Sequence, residues 1–452
     1  MVGCMESVSR MVWGIPTIAL ILGVGLMFSI RTGFAQIRFF PRALRFFFGK
    51  FRMESPDNGT SPFQALCTAL AATVGTGNLV GVAGAIALGG PGSIFWMWVC
   101  GIFGMMTKYA EATLAVHYRR GNGGEIQGGP MYMIRYGLGK SWRGLASAYC
   151  VLGIFSSFGV GNATQMNAVL SGLEQTVAYF GGNLSSRGKL LLGISLAVLI
   201  AMLLLGGSSR IGSAAELLIP LASCAYVVLS LCILIQRRDR LDDALSAIVT
   251  GAFSPGAVTG GILGSFLHTL RVGVSRGVFT NEAGMGTASI AHAGAKVDMA
   301  AQQGLMGMME VFLDTIVICT LTALVILVSG IQIPYGADPG GDLTIQAFCN
   351  VCGDWVAVFL ALAMCCFAFA TILGWSLYGA RCAQYLLGDR SWKWYAFAQS
   401  MVVVAACLLK TSTIWSLSEI FNGLMAIPNL IALVGLRRKL YELTSEYEKK
   451  MR

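Results

Sequence analysis

The chain has 452 residues, of which 55% are hydrophobic and 12% charged, and it carries a formal charge of +10. Soluble domains hold about 25% charged residues, so that composition and a mean hydropathy of +0.69 exclude a water-soluble enzyme and point to a polytopic membrane protein. The basic residues flank apolar runs instead of forming one soluble block, so the charge reflects membrane topology and anionic lipid rather than nucleic acid.

Apolar runs of about 20 residues, long enough to cross a bilayer as helices, recur along the sequence. The first, Val12 to Ile30, has no small-residue cleavage site after it and runs into Arg31, so it reads as a retained span and not a signal peptide. The connection that follows holds Arg31, Arg38, Arg42, Arg45, Lys50 and Arg52, with Phe46 to Phe48 among them as in a helix lying in the interface. Further runs follow at Phe63 to Leu88, Ile94 to His117, Leu145 to Leu170, Leu190 to Leu205, Ala214 to Ile235, Val258 to Phe279, Met306 to Val328, Val356 to Leu377, Trp394 to Leu409 and Ile414 to Leu436. The expected architecture is an all-α polytopic membrane protein with about eleven transmembrane helices in a single domain.

Loop charge orients these spans. Arg31 to Arg52, Arg119 to Arg143 and Arg437 to Lys439 fall on one face, which the positive-inside rule makes cytoplasmic. The N-terminus is then outside and the C-terminus inside. Arg237, Arg238 and Arg240 fall on the other face and run against this assignment.

Chemistry-bearing motifs are scarce. The 13 cysteines lie mostly in apolar runs and read as small buried hydrophobes, so neither disulfides nor structural zinc are expected. His117, His268 and His292 are too scattered to bind a metal together, and no HExxH, GxSxG or Walker loop occurs. No enzyme activity, cofactor, nucleic acid or obligate protein partner is expected. Asn58, Asn162 and Asn183 open glycosylation sequons that chance explains.

The informative segment is Thr73-Val-Gly75-Thr76-Gly77-Asn78, inside the apolar run Phe63 to Gly90. A glycine costs about 1 kcal/mol against alanine in a helix interior, and unpaired backbone groups in lipid cost more. A helix unwound at mid-depth exposes N–H groups to an anion and carbonyls to a cation, a combination that suits an amino acid carboxylate beside sodium. Close helix packing is the alternative use of Gly75 and Gly77, but packing does not require Thr73, Thr76 and Asn78. With the first span set aside, about ten remain, forming two groups of five inserted in opposite senses, residues 63–235 and 258–436. Each group opens on an interrupted helix, the second at Arg276-Gly277-Val-Phe279-Thr280-Asn281-Glu282-Ala-Gly284.

The segments Gly89 to Trp98, Gly128-Gly-Pro-Met-Tyr-Met133 and Arg276 to Gly286, ending in Ile290-Ala-His292, resemble the alanine/glycine:cation symporter family, and the likeness runs from Val12 to Arg438. The resemblance implies a leucine-transporter-like fold of two inverted five-helix repeats after an extra N-terminal helix. It also implies sodium-driven uptake of alanine or glycine, with D-alanine a further possible substrate, across the lipid bilayer. Proton coupling, or amino acid sensing without transport, are the alternatives. On this resemblance Thr76, Gly77 and Asn78 form the carboxylate end of the site, and sodium is held by Ala71, Val74, Ala368 and Thr371, with Thr371 also beside the substrate. Gly277, Phe279 and Asn281 supply the opposite wall, unless Asn281 to Gly284 only cap a helix. Gln165 and Trp375 complete the pocket, unless they serve only interhelical bonding and packing. Glu282 is expected to pair with Arg276 or Arg271, and Asp314 to bond between helices.

Overall fold

The computed structural model describes residues 8, 11–50, 60–122, 125–259, 265–337, 339–407 and 411–451, which form an all-helical fold with one antiparallel hairpin, Arg120–Asn122 with Glu125–Gln127. Arg52, Asn58, Leu409 and part of the expected span Val258 to Phe279 lie outside the described residues.

The first helices are α1, Ile15–Arg31, and α2, Phe40–Lys50. The next span is broken, as its glycines predict. Helix α3, Pro62–Thr73, starts at a Ser61 cap that accepts from Gln64 N–H, with Pro62 occupying the first turn. It stops because Val74 and Gly75 are extended; one 3-10 turn, Thr76–Asn78, leads into α4, Val80–Gly89. The two helical pieces are bent by 58°.

A long helix, α5, Gly92–Tyr118, runs at the centre and packs against α1. Then come α6, Arg143–Phe158, a π turn, Gly159–Ala163, and α7, Thr164–Tyr179. Helices α8, Ser186–Leu205, and α9, Gly207–Gln236, complete the first half. Leu217, Leu221, Val228 and Ile235 on α9 are exposed, the face a spanning helix turns to lipid.

Next come α10, Leu241–Phe253, which packs on α5, and α11, Phe266–Asn281. Helix α11 ends where Glu282 enters the left-handed region (φ 53°), followed by Gly284 (φ 95°) and Gly286 (φ 77°). Glycine adopts such angles without the Cβ clash that penalises other residues, which is why this turn is glycine-rich. Helix α12, Thr287–His292, resumes the path. Beyond it, α13, Ala300–Val311, passes through a π segment, Phe312–Cys319, into α14, Thr320–Ser329. The remaining helices are α15, Asp342–Cys352, α16, Trp355–Leu387, α17, Ser391–Ala406, α18, Thr411–Gly435, and α19, Arg437–Lys450.

Among the described residues six helices are long and apolar enough to cross a membrane, or seven with the bent pair taken as one. The expected number, about eleven, is larger because shorter or diluted helices fall below that criterion. Helix α1 has 17 residues and α17 has 16, and α5 carries Lys108 and Glu111 in its interior. Helices α10, α15 and α19 form where the hydropathy pattern predicts loops and a tail.

Candidate functional site

The first break is held open by its own asparagine. Gly75 N–H donates to Asn78 Oδ1 (2.9 Å), while Asn78 Nδ2 donates to Asp314 Oδ1 (2.7 Å) on the π segment after α13. The amide of Asn78 is therefore consumed in fixing the turn, which makes it a clamp beside the site. With Gly75 N–H diverted to Asn78, the Ala71 carbonyl at the end of α3 loses its usual helical donor. Among the described residues no backbone or side-chain group accepts from the N–H of Thr76 or Gly77.

Several expected residues converge here. Thr76 Oγ1 donates to Gln165 Oε1 (2.9 Å) of α7, and Gln165 Nε2 donates to the Val160 carbonyl (3.1 Å). A side chain on Gly75 would start 2.6 Å from Thr371 Oγ1 and 3.5 Å from Gln165 Oε1, and one on Gly77 would meet Thr280 at 3.3 Å and Phe279 at 3.6 Å. Thr371 Oγ1 is buried without a hydrogen-bond partner. Ala368 lies one turn before it on α16 and Trp375 one turn after. Trp375 is fully buried, and it abuts Gly161, which lies one turn before Gln165. The clearance is so small that any side chain at 161 would collide with the indole. A matching approach joins α3 to α16, where a Gly374 Cβ would lie 2.9 Å from Ala72 N.

Other expected residues face elsewhere. Gly277 packs α11 against α5: a Cβ there would meet Cys100 at 3.2 Å and the Met97 backbone at 3.4 Å. Asn281 donates to Thr315 Oγ1 (3.1 Å) and accepts from Ala283 N–H (3.0 Å), so its amide closes the end of α11. Glu282 does not follow the expected pairing. Its left-handed backbone turns the carboxylate inward, where Oε2 accepts from Thr287 Oγ1 (2.5 Å), and Arg276 approaches Glu419 at 4.0 Å instead.

A buried ionic assembly below the second break was not anticipated. Lys108 Nζ donates to Glu310 Oε1 (2.8 Å), His292 Nε2 meets Glu310 Oε2 (3.0 Å), and Gln303 Nε2 meets His292 Nδ1 (2.7 Å). Glu111 Oε1 accepts from the N–H groups of Gly284 (3.0 Å) and Gly286 (3.1 Å) and from Asn429 Nδ2 (2.7 Å). Lys108 also lies within electrostatic reach of Glu111 and Glu282. Ionisable residues inside apolar runs were the available signal, since charges at membrane depth are expensive and partnered.

This is the anatomy of a secondary transporter: an all-helical membrane fold in which a helix broken at mid-length presents free backbone groups to a buried polar cluster. The fold matches the crystal structure of MhsT in complex with L-phenylalanine with a TM-score of 0.59, over 84% of this chain and 90% of that one, at 14% identity. The chain belongs to the sodium:alanine symporter family, whose sequence profile matches residues 1–452. It is 40% identical to the sodium/alanine symporter AgcS of Methanococcus maripaludis, over 96% of this chain and 94% of the relative. It is 36% identical to the amino-acid carrier protein AlsT of Bacillus subtilis (95% and 89% covered) and 36% identical to that organism's probable sodium/glutamine symporter GlnT (97% and 88%).

Proposed function

We propose that this protein takes up alanine or glycine together with sodium by alternating access. One observation carries the reading: the free N–H groups of Thr76 and Gly77 and the unpartnered Thr371 hydroxyl lie at the same break in α3–α4. Paired donors at a helix start attract a carboxylate. A hydroxyl beside the freed carbonyls of Ala71 and Val74, with Ala368 behind it, offers a hard monovalent cation oxygen ligands without a buried protein charge. Phe279 and Thr280 cover Gly77, and Gln165 braces Thr76, so the space left for a side chain is small. Asn78 and Asn281 serve by fixing the breaks, and Trp375 limits the pocket from the Gly161 side.

In this reading repeat one spans about residues 63–235 and repeat two about 258–436, in a bacterial inner membrane with the N-terminus outside and the C-terminus cytoplasmic. Sodium binding orders the first break and completes the carboxylate site. Each ligand then raises the affinity for the other by a coupling of about 1 to 3 kcal/mol.

The test is uptake of labelled alanine and glycine into proteoliposomes under an inward sodium gradient, an inward proton gradient, or neither, with glutamine as competitor. Accumulation that requires sodium and resists glutamine is expected. Accumulation driven by protons alone overturns the cation assignment, and equilibration without accumulation overturns coupled transport.

A further inference from the structure

A continuous hydrogen-bonded chain joins the two helix breaks, and Asp314 is its midpoint. Gly75 N–H donates to Asn78 Oδ1 (2.9 Å), and Asn78 Nδ2 donates to Asp314 Oδ1 (2.7 Å). From the other side, Ala283 N–H donates to Asn281 Oδ1 (3.0 Å), Asn281 Nδ2 donates to Thr315 Oγ1 (3.1 Å), and Thr315 Oγ1 donates to Asp314 Oδ2 (2.9 Å). Asn78, Asn281, Asp314 and Thr315 are all completely buried.

We propose that Asp314 is a positioning residue that sets the two breaks in register, one carboxylate oxygen holding the first break and the other the second. This rests on the transport reading of the first break and deepens it. A carboxylate fits the midpoint because both its oxygens accept, and the chain delivers a donor from each side; an amide would present a donor on one of them. The π segment Phe312–Cys319 explains how neighbours in sequence serve opposite directions, since its wider turn redirects residues 314 and 315 relative to a regular helix. Such insertions into helices concentrate at functional sites.

The consequence concerns ligand binding. Thr76 and Gly77 sit between Gly75 and Asn78, while Phe279 and Thr280, which face Gly77, sit directly before Asn281. Asp314 therefore fixes the distance between the two walls of the pocket without touching its contents.

The test uses full-length protein in proteoliposomes at saturating sodium and reads KM for alanine in Asp314→Asn, Thr315→Val, the double variant and Thr315→Ser. Loss of one buried link raises KM by about tenfold in either single variant. The double variant is no worse than either single one, because both cut the same chain. Thr315→Ser, which keeps the hydroxyl, stays near wild type. An unchanged KM in Thr315→Val, or multiplicative effects in the double variant, overturns the proposal. If Asp314→Asn does not reconstitute, the Val and Ser pair at 315 decides alone. Wild-type protein that accumulates no alanine would sink the transport reading instead. The relay would then be judged by hydrogen exchange at residues 75–78: faster exchange in Thr315→Val supports it and unchanged exchange refutes it.

Discussion

Thr371→Val separates a ligand role from a folding role at one atom. Thr371 Oγ1 is buried and receives no hydrogen bond, so replacing it with a methyl group of similar volume removes nothing the folded chain uses. A buried hydroxyl left unsatisfied costs about 1 to 3 kcal/mol, so the sodium-free variant is expected to be as stable as wild type or slightly more so. Under the proposed placement of the cation, sodium, in contrast, loses an oxygen ligand. A bond to a charged group contributes about 1.5 to 3 kcal/mol, which lowers sodium affinity at least about tenfold. At sodium one hundred times the wild-type Kd, linkage stabilises wild type by about 2.7 kcal/mol and the variant by about 1.4 kcal/mol. Thermal unfolding in detergent with and without sodium, beside sodium activation of alanine uptake, measures both effects. A variant that keeps the wild-type sodium response in both assays would refute the placement of the cation at Thr371. So would one that is destabilised equally with and without sodium.

Further outcomes follow from the same geometry. Gly374→Ala puts a Cβ 2.9 Å from Ala72 N; the overpacking costs about 1 to 3 kcal/mol and raises the sodium concentration needed for half-maximal uptake, as titration of uptake against sodium will show. Glu310→Gln leaves Lys108 without its charged partner at 2.8 Å, which lowers stability by about 3 to 5 kcal/mol in denaturation assays. Trp375→Ala empties the space against Gly161 at a cost of about 3 to 5 kcal/mol. It also widens acceptance, so that larger amino acids become competitors of alanine uptake; unchanged competition counts against a size-limiting indole.

The first break was legible because its signal is local: glycines and polar residues interrupt an apolar run, and the helix stops at Thr73 as those residues require. The second was legible for the same reason, its glycines marking the left-handed positions 284 and 286. What spacing along one helix does not reveal is which face meets which neighbour. Asn78 looked like a ligand group, and its amide proves to be occupied by Gly75 and by Asp314, 236 residues away. Gly277 looked like part of an unwound wall, but a helix face is set by its partner, and here α5 comes close enough to need a glycine. The ion pair expected for Glu282 failed because a left-handed residue turns its side chain away from the helix that carries Arg276. Lys108 and Glu310 were visible as charges in apolar surroundings, but only the packing of α5 on α13 identifies them as each other's partner.

The C-terminal helix α19 closes over the connection between α1 and α2. Arg38 pairs with Glu448 at 2.7 Å across 410 residues of sequence, the Phe39 and Tyr447 rings meet at 5.8 Å, and Tyr441 packs edge-on against Phe28. Tyr109 of α5 donates to Thr444 Oγ1 (3.2 Å) from the same helix. During synthesis on a ribosome the connection at Phe39 emerges early and α19 late, so the Arg38–Glu448 and Phe39–Tyr447 contacts close only after the spans between them have been made. Final closure becomes a checkpoint for assembly, and a fusion or truncation within α19 reaches the middle of the bundle through Tyr109.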